Sequence, residues 1–374
     1  MKIGFDGKRA ANNLTGLGNY SRSLIAHMAQ LFPQNQYFVY TPKIKSKPQI
    51  TAFLNHPGVF ARRPDQPSLL WRTLGIKKQL TKDQIDLFHG LSHEIPTGLR
   101  IPALVTVHDL IFLRFPQYFG VIDRFIYKLK CSYACMHANK IIAISECTKR
   151  DIITFFHIDP EKIEVVYQSC DDSFKRSASD KKKSEVRRKF ELPERYLLNV
   201  GTIEERKNLL TLVRALKHID PAYKLVVVGR PTVYTSLVHK EIELQDLRSR
   251  IIFLKDVPFD ELPAIYQMAS VFVYPSVYEG FGIPVIEALY SGVPVVAASG
   301  SCLEEAGGPD SSYVSPFDHM GFAGAVNNLI HSPTDTLAKL SAKGSAYVQR
   351  FNNEPLSAKM MEIYRSVLSA YSTH

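Results

Sequence analysis

No stretch of the 374-residue sequence approaches the ~18 uninterrupted apolar residues that a membrane-spanning helix requires. The first residues, MKIGFDGKRA, read as a short strand and polar residues with no apolar signal core, so the expected location is the cytoplasm. Cysteine is scarce and scattered. Cys131, Cys135, Cys147, Cys170 and Cys302 form an odd set, which argues against a disulfide framework and reads as reduced thiols. Cys131, Cys135 and His137 lie close enough to suggest a metal, but no second ligand pair follows at a zinc spacing, so no structural metal is expected. Repeats, low-complexity segments and Asp-x-Asp pairs are also missing.

What is present is a chain that is 45% hydrophobic, enough for a sizeable core, at a length that suggests two domains. The net charge of +10 is uneven: residues 1–170 carry 22 Lys and Arg against 12 Asp and Glu, whereas residues 171–374 carry 24 of each. A basic half points to an anionic partner, such as a phosphorylated or lipid-linked substrate, a membrane surface or nucleic acid. A merely solvated basic face explains the same count.

Short β-branched runs alternate with amphipathic stretches throughout. The predicted strands of the first half are Lys2 to Asp6, Tyr37 to Thr41, Asp86 to His89, Ala103 to His108, Lys140 to Ile144 and Ile163 to Tyr167. Between them Tyr20, Leu24, Met28 and Leu31 recur at helical spacing, as do Phe125, Leu129 and Tyr133. The second half predicts strands at Tyr196 to Val200, Lys224 to Val228, Ile251 to Leu254, Val271 to Tyr274 and Val293 to Ala297, with helices near Leu209 to Leu216 and Leu262 to Met268. This alternation is the pattern of an α/β protein with two doubly wound, Rossmann-like parallel sheets. The expected domains are 1–170 and 191–352, joined by a polar linker at 171–190 that carries an exposed helix. Lys181, Lys182, Lys183, Arg187, Arg188 and Lys189 cluster in it without interleaved aromatics, which reads as a solvated face and not a nucleic-acid surface. A closing amphipathic helix, 353–374, presents Met360, Ile363, Tyr364, Val367 and Leu368. Two such sheets are expected to face each other across a cleft at the carboxyl ends of their strands.

The most informative stretch is YPSVYEGFGIPVIEALYSGVPVV, from Tyr274 to Val296. A strand ends, the chain turns through Pro275, Ser276, Gly280, Phe281 and Gly282, and it becomes helical around Pro284, where the missing N–H of proline costs nothing. The first-turn amides of such a helix suit phosphate. Glu279 lies in the loop and Glu287 follows eight residues later in an apolar helix, where a carboxylate needs a bonding partner. Ligand hydroxyls would supply one; an ordinary turn with Glu287 paired to an arginine is the plainer account. Arg206 and Lys207 follow Gly201 just past another strand, where two cations can neutralise a diphosphate. Thr15-Gly16-Leu17-Gly18-Asn19-Tyr20 is not a dinucleotide fingerprint, but its glycines let backbone approach a ligand. His108 and Asp109 end the strand ALVTVHD, and His89 ends another; each histidine is a site candidate or a satisfied core group.

Together TGLGNY, TVHDL, NVGTIEERKN and the Tyr274–Val296 stretch resemble the retaining nucleotide-sugar glycosyltransferases of family 4, which have the GT-B fold. The resemblance spans nearly the whole chain and is similar in particular to bacterial mannosyltransferases of surface-polysaccharide assembly. It implies that the second domain binds a nucleotide-diphosphate sugar, the first receives the acceptor, and the last helix crosses back onto the first domain. Arg206 and Lys207 would hold the diphosphate, Glu287 the ribose hydroxyls and Glu279 the donor sugar, with the amides of Phe281 to Ile283 nearby. Gly16 and Gly18 would face the diphosphate or acceptor, His108 would lie beside the transferred sugar, and Asp256 and Val257 would meet the base. His89, Asp109 and Tyr20 are acceptor-side candidates.

The expected chemistry breaks an anomeric C–O bond, with Arg206, Lys207 and the helix start taking the charge of the leaving diphosphate and a carboxylate facing the developing positive ring. Without an Asp-x-Asp pair, no metal and no cofactor is expected. GDP-mannose is the first donor expectation and UDP-sugars the alternative. The acceptor is expected to be a saccharide or a polyprenyl diphosphate-linked one, which an anionic membrane surface near the basic half would suit. A sugar-nucleotide epimerase of similar architecture and a basic nucleotide- or nucleic-acid-binding protein remain as other readings. Cleft carboxylates, which repel phosphate, weigh against nucleic acid.

Overall fold

The computed structural model describes residues 1–64 and 71–372, which group into two compact units: Met1–Ser169 with Phe351–His374, and Cys170–Arg350. The first unit holds strands β1 (Lys2–Asp6), β2 (Gln36–Tyr40), β3 (Val59–Arg62), β4 (Leu87–Gly90), β5 (Ala103–Val107), β6 (Lys140–Ala143) and β7 (Ile163–Val165), in the order 3-2-1-4-5-6-7. All neighbours pair in parallel. Ile3, Phe5 and Val39 pack on one side of the sheet, while Phe38, Tyr40 and Phe88 pack on the other. Successive side chains point to opposite faces, and both faces are covered, so these strands read as continuous apolar runs and not as alternation.

The second unit repeats the plan. Its strands are β8 (Tyr196–Val200), β9 (Lys224–Val228), β10 (Ile251–Leu254), β11 (Val271–Tyr274), β12 (Val295–Ala298) and β13 (Ser312–Val314), ordered 10-9-8-11-12-13 and all parallel. Strands β1, β8, β9, β10 and β11 have the predicted bounds, and the other predicted strands shift by one or two residues. The sequence reading omitted β3 and β13. Each is a sheet edge of three or four residues, and edges carry little of the buried apolar signal that marks a central strand.

Two segments differ from expectation. Residues 171–190 group with the second unit: Phe174 is fully buried with its ring centroid 5.4 Å from that of Tyr266, and Val186 is buried too. The helix Asp180–Lys189 within it is exposed along its basic face, where Lys189 meets Glu261 at 2.7 Å. The helix Val121–His137 reverses its predicted face, burying Cys131, Ala134 and Cys135 while Phe125 and Leu129 lie exposed. The ring of His137 turns to the Tyr133 carbonyl, 2.9 Å away. Among the described residues no group of three His, Cys, Asp or Glu could hold a metal ion, and no helix is long and apolar enough to cross a membrane. The tail helix Asn353–Ser372 lays Met360, Ile363, Tyr364 and Val367 into the first unit's core beside Ile25 and Met28.

In both sheets the strand order reverses beside the first strand, so β8 lies between β9 and β11. Ligands of open parallel sheets sit outside the carboxyl ends of the strands at such a point. There the ends of β8 and β9 touch: the Gly201 N–H donates to the Val228 carbonyl at 2.9 Å, and a Cβ on Gly229 would lie 1.8 Å from the Gly201 oxygen. Gly229→Ala should therefore lower stability by about 1–3 kcal/mol, read as a fall in the urea midpoint. Gly324→Ala, in open space within the helix His319–Ile330, should raise it by about 0.5–1 kcal/mol. Equal midpoints for the two variants would contradict the close approach.

Candidate active site

Strands β8 and β11 are neighbours, pairing Val271 with Leu197 and Phe272 with Leu198, so the loops that leave their carboxyl ends must meet. The β8 loop turns at Gly201, with φ of 152°, and ends at Asn208, with φ of 55°. Hydrogen bonds join it to the β11 loop: the Val277 N–H donates to the Arg206 carbonyl at 2.9 Å, and the Asn208 side chain donates to the Pro275 carbonyl at 3.2 Å.

The junction converges on Glu279. One carboxylate oxygen is 2.9 Å from the Arg206 guanidinium, and the other accepts from Lys207, from Ser276 Oγ at 2.7 Å and from the Tyr274 hydroxyl at 3.0 Å. Lys207 also touches the Tyr274 hydroxyl, its ammonium 5.0 Å from the ring centroid, and Arg206 reaches Glu204 at 2.7 Å and the Tyr278 carbonyl. Burial alone would raise the Glu279 carboxyl, but Arg206 and Lys207 outweigh it and hold the group down at about 2. Burial lowers Lys207, with Glu279 opposing. For Arg206 burial works against the charge, and Glu279 and Glu204 more than offset it.

The loop then reaches the helix Ile283–Tyr290 through Gly282, whose φ is 121° and whose Cβ would lie 2.9 Å from Leu303. Cys302 fixes this entry, its thiol bonded to the carbonyls of Phe281 at 2.8 Å and Glu279 at 3.0 Å. Phe281 and Gly280 are buried, and Ile283 is half-buried at the helix start. Glu287 faces inward from this helix. Its partner is not an arginine but the Tyr266 hydroxyl, which donates at 2.9 Å. Burial lifts the Glu287 carboxyl to about 8, with Asp171 adding to the rise. Asp256 is exposed with φ of 50°, and Val257 is half-buried, both following the edge strand β10.

In the first unit, His108 is buried with both ring nitrogens engaged: Nε2 lies 2.9 Å from the Leu91 carbonyl, so it carries the proton, and Nδ1 accepts from Gln168 at 2.9 Å. Burial drives its pKa down to about 3. A proton-abstracting role does not fit this imidazole; a fixed neutral donor-acceptor does. Tyr20 packs edge-on against it at 4.8 Å and bonds Thr106 at 3.3 Å. His89 corrects its expectation as an acceptor residue. It is a fully buried core group between Tyr364 at 2.7 Å and Thr106 at 2.8 Å. Asp109 accepts from the Ile111 amide at 3.1 Å. Gly18 is also corrected, since its missing Cβ makes room for the chain's own Asn13 carbonyl, 1.8 Å from where that atom would be, whereas Gly16 is exposed in open space.

The comparisons with known proteins divide along the same line as the two units. The model for Glycosyltransferase Family 4 matches residues 14–174, and that for Glycosyl transferases group 1 matches residues 180–347. The O-antigen chain mannosyltransferase RfbU of Salmonella typhimurium is 30% identical, covering 70% of this chain and 68% of the relative. The chain belongs to the family 4 glycosyltransferases. This glycosyltransferase is also 28% identical to the O-antigen chain mannosyltransferase B of Escherichia coli, over 98% of the chain and 100% of the relative. Among solved structures it resembles Anabaena HepE in complex with UDP and glucose, with a TM-score of 0.78 and 19% identity over 98% of this chain and 100% of that one. A sucrose-phosphate synthase from Thermosynechococcus elongatus gives 0.79 and 20% over 99% and 100%. These two likenesses establish the GT-B fold.

Sequence reasoning passed over Tyr274, Ser276, Glu204 and Cys302 around Glu279, Tyr266 against Glu287, and Gln168 and His93 around His108. Tyr274 had a visible signal, as the last residue of a strand five positions before Glu279. Tyr266 had none, because it reaches Glu287 from a separate helix.

A carboxyl held up in the fold gives stability that is full below its unfolded value of about 4.5 and is lost as pH rises through about 8. Glu287→Gln removes that loss. The variant should match the parent in unfolding free energy at pH 4.5 and exceed it at pH 8 by an amount on the order of 4 kcal/mol, read from urea titrations. A parent advantage at pH 8 would show that Glu287 is ionised and compensated.

Proposed function

We propose that this glycosyltransferase moves a mannosyl group from GDP-mannose, with retention at the anomeric carbon and without a divalent ion, to a saccharide or polyprenyl diphosphate-linked acceptor in surface-polysaccharide assembly. One observation carries the donor half: two cations at the carboxyl end of β8 converge on Glu279 of the β11 loop, next to the start of the helix Ile283–Tyr290. The mannosyl half rests on the O-antigen mannosyltransferase relatives, and a nucleotide-sugar donor is in keeping with the fold neighbour that binds UDP and glucose.

Breaking the anomeric C–O bond leaves negative charge on the diphosphate. Arg206 and Lys207, fixed by Glu279, Tyr274 and the Tyr278 carbonyl, meet that charge with little rearrangement. They do for the diphosphate what a divalent cation does in other transferases. Glu279, held ionised, faces the positive character that develops on the sugar ring. Glu287 accepts the ribose hydroxyls, which favour its charged form and draw its proton off on binding. No carboxylate is required as a covalent nucleophile, and the leaving phosphate takes the proton of the acceptor hydroxyl.

A thermal-shift panel of GDP, UDP, ADP and their sugars tests the donor, because a ligand of the native state raises its Tm. GDP and GDP-mannose should give the largest rise, and a larger rise with UDP would overturn the donor assignment. Transfer should continue in excess EDTA, and the first product seen by NMR should keep the donor's anomeric configuration. Glu279→Gln should cut kcat by about 10²–10³ with nucleotide affinity nearly kept, whereas Glu287→Ala should weaken nucleotide binding roughly tenfold. Parental transfer rates in both variants would remove the site assignment.

A further inference from the structure

The helix Val121–His137 places its largest apolar side chains in water. Val121 is 72% exposed, Ile122 76%, Phe125 61% and Leu129 55%, with Ile126 and Met136 also open. At 100° per residue these six positions share one arc of roughly 140°, and the opposite side of the helix, through Cys131, Ala134 and Cys135, is what the core takes. Six bulky side chains on one face exceed the scattered apolar residues that any surface carries.

One rim of this arc is basic, with Lys128 exposed on it and Arg124 a turn behind. The other rim carries both signs, because the Lys130 ammonium pairs with Glu94 at 3.3 Å and Asp123 lies exposed beside it. The unit that bears the helix also bears the whole charge excess: Glu354 and Glu362 of the tail cancel Lys359 and Arg365, so the first unit keeps +10 and the second is neutral. A face meant for another protein would be depleted in lysine around its apolar centre. Aliphatic and Phe side chains beside a basic rim, on a positively charged body, are instead the composition of a helix lying in a lipid interface, where the lysine stems extend toward headgroups.

We propose that the exposed face of Val121–His137 docks this glycosyltransferase on an anionic membrane surface, with Val121, Ile122, Phe125, Ile126 and Leu129 entering the acyl boundary and Lys128 meeting acidic headgroups. This extends the reading that the acceptor is lipid-linked, and it places the enzyme at the surface that would hold such an acceptor.

The test is co-sedimentation of the full chain with phosphatidylglycerol–phosphatidylethanolamine vesicles and with phosphatidylcholine vesicles, in low and high salt, without donor or acceptor. The parent should bind the anionic vesicles, weakly bind the neutral ones and lose affinity with salt. Ile122→Ser with Phe125→Ser should weaken binding at least about tenfold, and Lys128→Ala about fivefold. Both variants alter exposed side chains, so their Tm and nucleotide-induced thermal shift should equal the parent's. Parental vesicle binding in the double variant, or no binding by the parent at any salt, overturns the proposal. A parent dimer that the double variant dissociates, with no vesicle binding, overturns it in favour of a second copy of the chain. Transfer to a water-soluble saccharide is measured separately, so loss of docking and failure of the proposed reaction are told apart.

Discussion

The second unit's site depends on one buried charge being balanced. Glu279 is largely withdrawn from solvent, its side chain 12% exposed, and an isolated carboxylate there would be protonated or would force the loop outward. Arg206 and Lys207 keep it ionised, and it keeps them in place, so three long side chains share one geometry. The cost of ordering them is met during folding and not when a ligand arrives. This arrangement also fixes the backbone: the β8 loop cannot move without pulling on the β11 loop, because Val277 and Asn208 bind across as well. The adjacency of β8 and β11 is thus a requirement of the chemistry as well as of the sheet.

Glu279 and Glu287 show how position on an element decides the state of the same side chain. Both are buried and eight residues apart, yet one is pushed down to about 2 and the other up to about 8. Glu279 stands on a loop where cations from another strand can reach it. Glu287 stands mid-helix among Val285, Ile286, Ala288 and Leu289, where a single tyrosine hydroxyl is its hydrogen-bond donor. Environments that push two carboxyls apart are a common mark of divided labour in an active site.

Much of this architecture was legible because both sheets are buried on two sides. Runs such as Leu225 to Val228 and Val271 to Tyr274 are continuous apolar segments between glycine- and proline-rich loops, and their bounds follow from composition. Glycines at 201 and 282 marked turns that an ordinary residue resists, and the cations and carboxylates beside them could be named from position alone. The face of the tail helix was read correctly; what failed was the face of one helix and the partners of several buried groups. Phe125 and Leu129 have the spacing of a core stripe, but small Cys131, Ala134 and Cys135 allow the helix to sit close to the sheet on the other side, and spacing does not say which stripe is inside. His89 and His108 end strands in the same way. Only the packing of Tyr364 on one and of Gln168 on the other makes the first a core group and leaves the second near Tyr20. Gly18 looked like room for a ligand and is room for Asn13.

The distribution of charge follows the same logic one level up. Around the diphosphate candidates, Arg206 and Lys207 are matched by Glu204 and Glu279, so the site is neutral before any donor enters, and the unit that holds it is neutral as a whole. On the proposed function, an anionic nucleotide would be held there by fixed local geometry and not by a broad positive field. The excess of ten positive charges on the first unit is therefore not accounted for by the donor. A field of that size acts over about a Debye length, roughly 8–10 Å in physiological salt, which suits attraction to an extended anionic surface better than recognition of one small molecule. That the same unit exposes a continuous apolar arc with a basic rim gives the field something to deliver.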